Sequence, residues 1–539
     1  MRMGVYLNST TAYTLYKSES EKPYFVDKTK LLKELFPLVA SGNNHICIAR
    51  PRRFGKTIMA NMVASFFTKA VDATDIFDKM EISKEAEYQR YLNQYHVIHI
   101  SFNEMPPRCK TYEQYIERIE NILWEDLQTY FPSVKMHRGE GLWDILKRIH
   151  MADSSERFIF VLDEWDYIFH RDFVTDEDKK DYISFLSNLL KDKPYVLMTY
   201  MTGILPIAKY SSGSELNMFT EFTMATTPTF SEYFGFCESE VDDLYDRYQK
   251  ACKVPAVSRE ALRSWYDGYH TASGERVYNP RSVVLALHYN HIESYWTSSG
   301  PYDEIFYYIE NNIADVRDDL ALMVSGIPVP AKVQEYAAVS MNLSTKDEIF
   351  SAMIVYGFLS YKNGKVSIPN KELMGKFADM LMKEPSLGYV NRLAKASVRM
   401  LKATLSGDTH TMIEILEHAH NTEVPLLNYN NETDLTAVIN LVYLAARDSY
   451  RIEREDKAGT GYADFIFYPE ADPAADCIIL ELKVNHTAEE AIRQIKDKQY
   501  ALRFQPKIGE KKKYTGRILA VGIAYDKESK KHDCKIEVL

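Results

Sequence analysis

Phe158-Ile159-Phe160-Val161-Leu162-Asp163-Glu164-Trp165-Asp166 is the stretch whose reading decides the fold. Five apolar residues in a row leave a strand with no polar face, so it must be covered on both sides, as strands of parallel sheets are. Such a strand brings carboxylates to water only at its tip. In a parallel nucleotide-binding sheet that tip lies at the crevice where phosphate is held. Upstream, His45–Ala49 is a second short apolar strand. Arg50-Pro51-Arg52-Arg53-Phe54-Gly55-Lys56-Thr57 joins it to a helix that begins near Lys56. A Gly-Lys-Thr tripeptide between strand and helix is a phosphate loop in its proper setting. Gly55 lets the backbone approach the β-phosphate, and the helix N-terminus aims its N–H groups at the anion. Lys56 is expected to neutralise the β/γ oxygens and Thr57 to offer its hydroxyl to Mg²⁺. Arg52, Arg53 and Phe54 complete the ATP-binding loop, with the two arginines steadying phosphate or facing DNA or another subunit. Arg50 stands where such loops usually have their first glycine.

Asp163 is then the expected holder of the Mg²⁺ water shell, and Glu164 the polariser of the attacking water. Further strands are expected at Val97–Phe102, Val196–Tyr200 and Phe222–Ala225, alternating with helices, which predicts a parallel α/β sheet. The strand from Val196 ends at Thr202-Gly203, which places Thr202 as a sensor candidate between the acids and the γ-phosphate.

A chain of 539 residues exceeds one hydrophobic core, so two or three domains are expected. The formal net charge of −11 excludes a generally basic nucleic-acid coat and confines any DNA contact to local grooves. Six scattered cysteines without a C-x-x-C pair argue against a disulfide framework or structural zinc. No signal peptide or bilayer-length apolar run is legible, so a cytoplasmic location without a membrane partner is expected. From Ser231 onward the pattern turns helical. Thr345–Tyr356, Gly357–Tyr361 and Val366–Pro369, with an Asn363-Gly364 turn, read as helix, strand, turn and strand of a winged helix.

A second constellation lies near the C-terminus. In Cys477-Ile-Ile-Leu-Glu481-Leu-Lys483-Val484 a strand interior carries two charges at i and i+2, hence on one face. Burying charge in a sheet is costly unless the groups meet metal or one another. Asp464 opens a neighbouring apolar strand after Gly459 and Gly461. Asp464 and Glu481 are expected to bind Mg²⁺ through oxygen, with Lys483 orienting a water for attack on phosphorus. Glu432, at the start of the preceding helix, and Gln494, which shares a helix face with Lys498, are the flanking candidates. Basic runs at Lys507–Lys513 and Lys527–Lys531 are either a track for a phosphate backbone or solvated surface.

Several further segments match in order along the chain: Tyr24-Phe-Val-Asp27-Lys28-Thr29, Phe230-Ser-Glu-Tyr-Phe-Gly235, Trp265-Tyr-Asp-Gly-Tyr269, Tyr278-Asn-Pro280 and Tyr295-Trp296. With the loop, the acidic strand, Thr202-Gly203 and Ile478–Lys483, the sequence resembles AAA-ATPase-like proteins that carry a C-terminal PD-(D/E)XK nuclease superfamily domain. The resemblance implies that Arg50 is normal at its position and that a helical lid containing the winged helix follows the ATPase sheet. It also implies a restriction-endonuclease-like α/β fold at the C-terminus, and that Tyr278-Asn-Pro280 builds structure. Tyr462 departs from the small or basic residue expected there.

The expected domains are 1–232, a P-loop AAA-like domain; 233–385, a helical lid with the winged helix; and 386–539, a helical lead-in and nuclease-like domain. ATP and DNA are the expected partners, and a homo-oligomer fits. The leading reading is ATP binding and hydrolysis with ATP-gated, Mg²⁺-dependent DNA cleavage, in DNA processing or defence. The other is a nucleotide-controlled regulatory switch whose nuclease-like domain only binds nucleic acid or partners.

Overall fold

The computed structural model describes residues 4–207, 215–296, 309–333, 345–421, 432–458, 461–470, 472–504 and 514–539. The chain forms two compact units, one of residues 1–308 and 330–372, the other of residues 309–329 and 373–539.

The first unit is built on five strands: β1 (Asn44–Ala49), β2 (His96–Ser101), β3 (Phe158–Asp163), β4 (Val196–Gly203) and β5 (Phe219–Phe222). They lie in the order β2-β3-β4-β1-β5, and every neighbouring pair is parallel. Side chains alternate along β3, so Phe158, Phe160 and Leu162 join one apolar core while Ile159 and Val161 join the other. This two-faced burial is why the strand reads as an unbroken apolar run. The last strand ends at Phe222, not Ala225. Beyond it Thr223 and Thr226 pair their hydroxyls at 2.7 Å and Thr223 N–H donates to Thr227 Oγ1, so hydroxyl side chains replace the ladder with a turn.

Helices Glu238–Ala251, Arg259–Tyr266 and Pro280–Tyr289 follow, around a core that includes Val241, Leu244, Leu262 and Val283. Asn279 caps the last of them by accepting from Ser282 N at 3.2 Å, with Pro280 in its first turn. Tyr278 OH donates to Glu238 and accepts from Arg259, which ties this entry to the other two helices. The structural role implied for Tyr278-Asn-Pro280 has this physical basis.

The winged-helix segment has its helix at Lys346–Tyr356, started by a Thr345–Glu348 capping box and stopped by Gly357 in the left-handed region. That stop turns the N–H groups of Phe358 and Leu359 back to Met353 O, so the hairpin begins at Ser360, later than the sequence suggests. Asn363 (φ 51°) and Gly364 (φ 77°) turn it into Lys365–Ser367. Gly268 (φ 110°) packs its α-carbon against this segment. A Cβ there would lie 1.9 Å from Pro369 O.

The second unit holds β6 (Tyr450–Ala458), β7 (Gly461–Pro469), β8 (Cys477–Val484), β9 (Ile518–Asp526) and β10 (Lys531–Val538), adjacent in that order. Only β8 and β9 run parallel; the other neighbours are antiparallel. Helices Ile313–Val324, Tyr389–Ser406, Thr409–Asn421 and Glu432–Val442 belong to the same unit. Beyond Val442 the last of these helices gives way to a 3₁₀ segment, Leu444–Asp448. Helix Ala488–Asp497 covers one face of β8 and β9. Gly522 permits that closeness, because a Cβ on it would lie 2.4 Å from Ala488 O. Among the described residues no helix is long and apolar enough to cross a membrane, and the six cysteines are unpaired.

Candidate functional sites

The strand order puts β4 between β1 and β3, so the loop after β1, the tip of β4 and the acidic tip of β3 share one edge. Arg53 (φ 71°) and Gly55 (φ 86°) bend the loop, and Gly55 begins the helix Lys56–Phe67. No atom lies within 4 Å of where a Cβ on Gly55 would sit, so that space is open above the loop. Lys56 is buried, its ammonium donating to Arg50 O and Pro51 O at 2.9 Å each. Burial lowers its pKa, and Asp166, Asp163 and Glu164 pull it back up. Thr57 is exposed on the cleft wall. Asp163 is fully buried. One oxygen accepts from Thr202 Oγ1; the other, Oδ2, has no hydrogen-bond partner. Glu164 sits at φ 53°, a strained conformation for a residue with a side chain. Burial and then the charge of Asp163 raise its pKa, while Lys56 and a hydrogen bond from Asn103 lower it.

Arg50, in place of the usual glycine, points away from this edge. It donates to Ala49 O (2.9 Å) and Phe222 O (2.7 Å) and lies 5.0 Å over the Phe234 ring, clamping β1 to β5. Asp166 also works structurally, accepting from Ile204 N and Leu205 N, with Trp165 packed where a Cβ on Gly203 would clash at 2.4 Å. A cleft of about 630 Å³ runs from the loop, Glu164 and Asp166 to Tyr24, Val26, Tyr233 and Leu285. Arg52, Arg53 and Arg281 line it with Lys56. That is a focal concentration of positive charge on a molecule whose formal net charge is −11.

In the second unit Asp464 on β7 follows the register in which Phe465 faces Leu480, which sets it opposite Glu481 on β8. Asp464 Oδ2 accepts from Leu482 N at 2.7 Å. Glu481 is 2 % exposed; Lys483 Nζ reaches its Oε1 at 3.3 Å and Gln494 Nε2 donates to the same oxygen. Glu481 Oε2 is buried without a hydrogen-bond partner. Burial, then the Asp464 charge, pushes the Glu481 carboxyl up to about 7. Tyr500 OH lies 3.4 Å from Gln494 Nε2 and donates to Tyr462 O at 2.7 Å.

Residues 14–212 match the family model described as predicted AAA-ATPase, and residues 432–533 match that of the PD-(D/E)XK nuclease superfamily. One chain carries both domains. Among curated proteins it is 25 % identical over 287 residues to an uncharacterized protein in the vnfD 5′ region of Azotobacter chroococcum. That match covers 52 % of each, so the chain spans about half the length of this relative. Among solved structures it resembles a Walker-type ATPase of Pyrococcus abyssi at 12 % identity and a TM-score of 0.37, covering 66 % of this chain and 96 % of that one. The ORC2 protein of Aeropyrum pernix, solved in ADPNP–ADP complexes, gives 12 % and 0.30, with 66 % and 92 % covered.

In the AAA-ATPase-like domain the structure brings together Arg52, Arg53, Gly55, Lys56, Thr57 and Glu164 around the cleft, with Asp163 and Thr202 buried directly behind. Phe54 also borders the cleft but is itself buried, edge-on to Tyr269 at 5.0 Å. Arg281 and Asn103 were not singled out in the sequence. Arg281 follows the Tyr-Asn-Pro segment directly, and Asn103 lies two residues past β2, but neither position carries a pattern of its own. In the PD-(D/E)XK domain Asp464, Glu481, Lys483 and Gln494 converge. The side chain of Glu432 and the run at 507–513 lie outside the described residues. The run Lys527–Lys531 spans the turn that joins β9 to β10. Tyr500 was missed; its signal is the spacing of six residues from Gln494, one helical segment later.

Among the described residues no three His, Cys, Asp or Glu side chains group as metal ligands. Magnesium keeps several waters and takes one or two carboxylates plus substrate phosphate. The unpartnered oxygens Asp163 Oδ2 and Glu481 Oε2 fit that demand, since buried carboxylate oxygens are otherwise costly.

Proposed function

We propose that this chain binds and hydrolyses ATP in its first unit and cleaves DNA with Mg²⁺ in its second, nucleotide state gating the cleavage. The observation that carries the reading is the pair of buried acid sites, each with one carboxylate oxygen left without a partner beside a lysine. Lys56 exchanges its two loop carbonyls for the β/γ-phosphate oxygens, and Arg53 and Arg281 add charge from the cleft walls. Thr57 and Asp163 hold Mg²⁺, with Thr202 fixing the rotamer of Asp163. Glu164, raised in pKa, accepts a proton from the attacking water or orients it. In the second unit Asp464 and Glu481 hold Mg²⁺, Gln494 fixes Glu481, and Lys483 orients the water that attacks phosphorus. The ion supplies charge neutralisation of the phosphoryl oxygens and a more acidic water.

Supercoiled plasmid incubated with the purified protein, Mg²⁺ and ATP tests both halves. Nicking or degradation is expected, with Glu481→Ala and Lys483→Ala each abolishing it. Lys56→Ala is expected to cut phosphate release by about 100-fold or more, the scale of losing one aligned charge-stabilising donor. Cleavage that survives both C-terminal changes removes the nuclease assignment. Unchanged ATP turnover in Lys56→Ala removes the nucleotide site.

A further inference from the structure

Tyr462 is 63 % exposed, although it begins a strand of the PD-(D/E)XK domain two residues before Asp464. Its main chain is held firmly: Tyr500 OH donates to its carbonyl at 2.7 Å, and Gly461 beside it is packed under Tyr500 and Lys498. Residues i and i+2 of a strand share a face, so Tyr462 and Asp464 stand on the same side of the sheet. They are about 7 Å apart along it, roughly the length of one extended nucleotide. An exposed aromatic ring and the acid pair therefore stand on one face of the sheet, one strand step apart.

Resting on the nuclease reading above, we infer that Tyr462 is the stacking platform for an unpaired nucleobase next to the phosphate held at Asp464 and Glu481. Single-stranded DNA and frayed ends are thereby the preferred substrates. Every base has a π-face, so a projecting tyrosine accepts any sequence. In a duplex both faces of an internal base are already taken by its neighbours, so only an unpaired or terminal base can use the ring. The substrate polymer must run past the acid pair in both directions, and the Tyr462 side of that path presents a ring where a purely duplex-tracking surface would present cations.

An oligonucleotide carrying 2-aminopurine beside the scissile position reports stacking by loss of fluorescence. Full-length protein is titrated into it with Ca²⁺, a hard cation bound by the same kind of oxygen ligands. Quenching is expected, with single-stranded DNA bound about tenfold more tightly than a blunt duplex of the same length. Tyr462→Ala is expected to abolish the quench and remove the tenfold preference, leaving duplex binding and ATP turnover unchanged. Tyr462→Phe is expected to keep both. Wild-type quenching that persists in Tyr462→Ala, or equal weakening of single strand and duplex, overturns the inference. A parallel Mg²⁺ cleavage assay separates the two claims. Tyr462-dependent quenching without cleavage supports the platform and removes the nuclease reading. Cleavage without such quenching removes the platform alone.

Discussion

Asp163 places a fully buried carboxylate at the tip of β3 with a single hydroxyl, Thr202 Oγ1, donating to it. Its second oxygen has no partner, so in the absence of Mg²⁺ the folded state carries an unsatisfied buried acceptor. Thr202→Val keeps the volume and removes the donor. We expect this variant to lose about 1–3 kcal/mol of stability without nucleotide, the cost of leaving a buried group unmade. Saturating Mg²⁺ and ADP should shrink the deficit, because the ion then satisfies the carboxylate. Thermal unfolding with and without Mg²⁺·ADP measures it, and an equal deficit in both conditions would mean that Thr202 only fills space. Asp163 and Thr202 were both legible in the sequence because each ends a largely apolar strand of the buried parallel sheet, next to the phosphate-loop edge. Arg50 was legible as an anomaly only. Its work, bridging β1 to Phe222 O and Phe234, depends on a strand more than 170 residues away.

Elements were legible where one period dominated. β3 is an unbroken apolar run up to Asp163, β1 and β4 are largely apolar, and the helix Lys346–Tyr356 announces itself by its capping box and its stop glycine. The outer strands of the second sheet were not read, since β6 (Tyr-Arg-Ile-Glu-Arg-Glu-Asp-Lys-Ala) and β10 (Lys-His-Asp-Cys-Lys-Ile-Glu-Val) are edge strands dense in charge. Charge on an edge blunts unwanted pairing and equally hides the strand from a hydrophobicity reading. The first unit holds a further device that no motif signalled. Glu372 is 2 % exposed and accepts from Ser282 Oγ (3.0 Å) and from the N–H groups of Tyr295 and Trp296 (2.6 Å each), with the charge of Arg53 of the phosphate loop acting on it. Burial pushes this carboxyl up to about 7 from 4.5, against the lowering effect of those bonds and of Arg53. The folded form therefore holds a proton that the unfolded chain has released between those two values. Stability must fall as pH rises from about 4.5 toward 7 and level off above. Glu372→Gln keeps the acceptor and cannot ionise. Chemical unfolding followed by tryptophan fluorescence should show the variant gaining about 2–3 kcal/mol on wild type between about pH 5 and about pH 8. A difference that does not change with pH would refute the buried ionisation.

The chain enters the second unit, leaves it and returns, so its units are not successive lengths of sequence. Helix Ile313–Val324 is followed by residues 330–372 of the first unit, yet its own partners lie later in the chain. Tyr389 OH donates to Asp318 at 2.6 Å, Arg317 lies 4.9 Å over the Tyr389 ring, Ser325 Oγ donates to Ala437 O at 3.2 Å, and Arg454 donates to Ser325 O at 3.2 Å. Periodicity alone shows that such a segment is a helix and cannot show which later helix it will meet. Val316, Leu320, Ala321, Met323 and Val324 are buried there. At roughly 1.5–3 kcal/mol for each of the larger side chains, that face contributes several kcal/mol. Domains as a rule are stable by only about 5–15 kcal/mol. A fragment of residues 373–539 alone is therefore expected to lack a cooperative thermal transition and to bind a hydrophobic dye. The same fragment joined through a Gly/Ser linker to residues 309–329 is expected to melt cooperatively. Identical transitions for the two fragments would show that the early helix contributes nothing to the unit. Loss of cooperativity only in the shorter one would mean that the nuclease-like sheet cannot finish folding until a helix encoded before the winged-helix segment has docked.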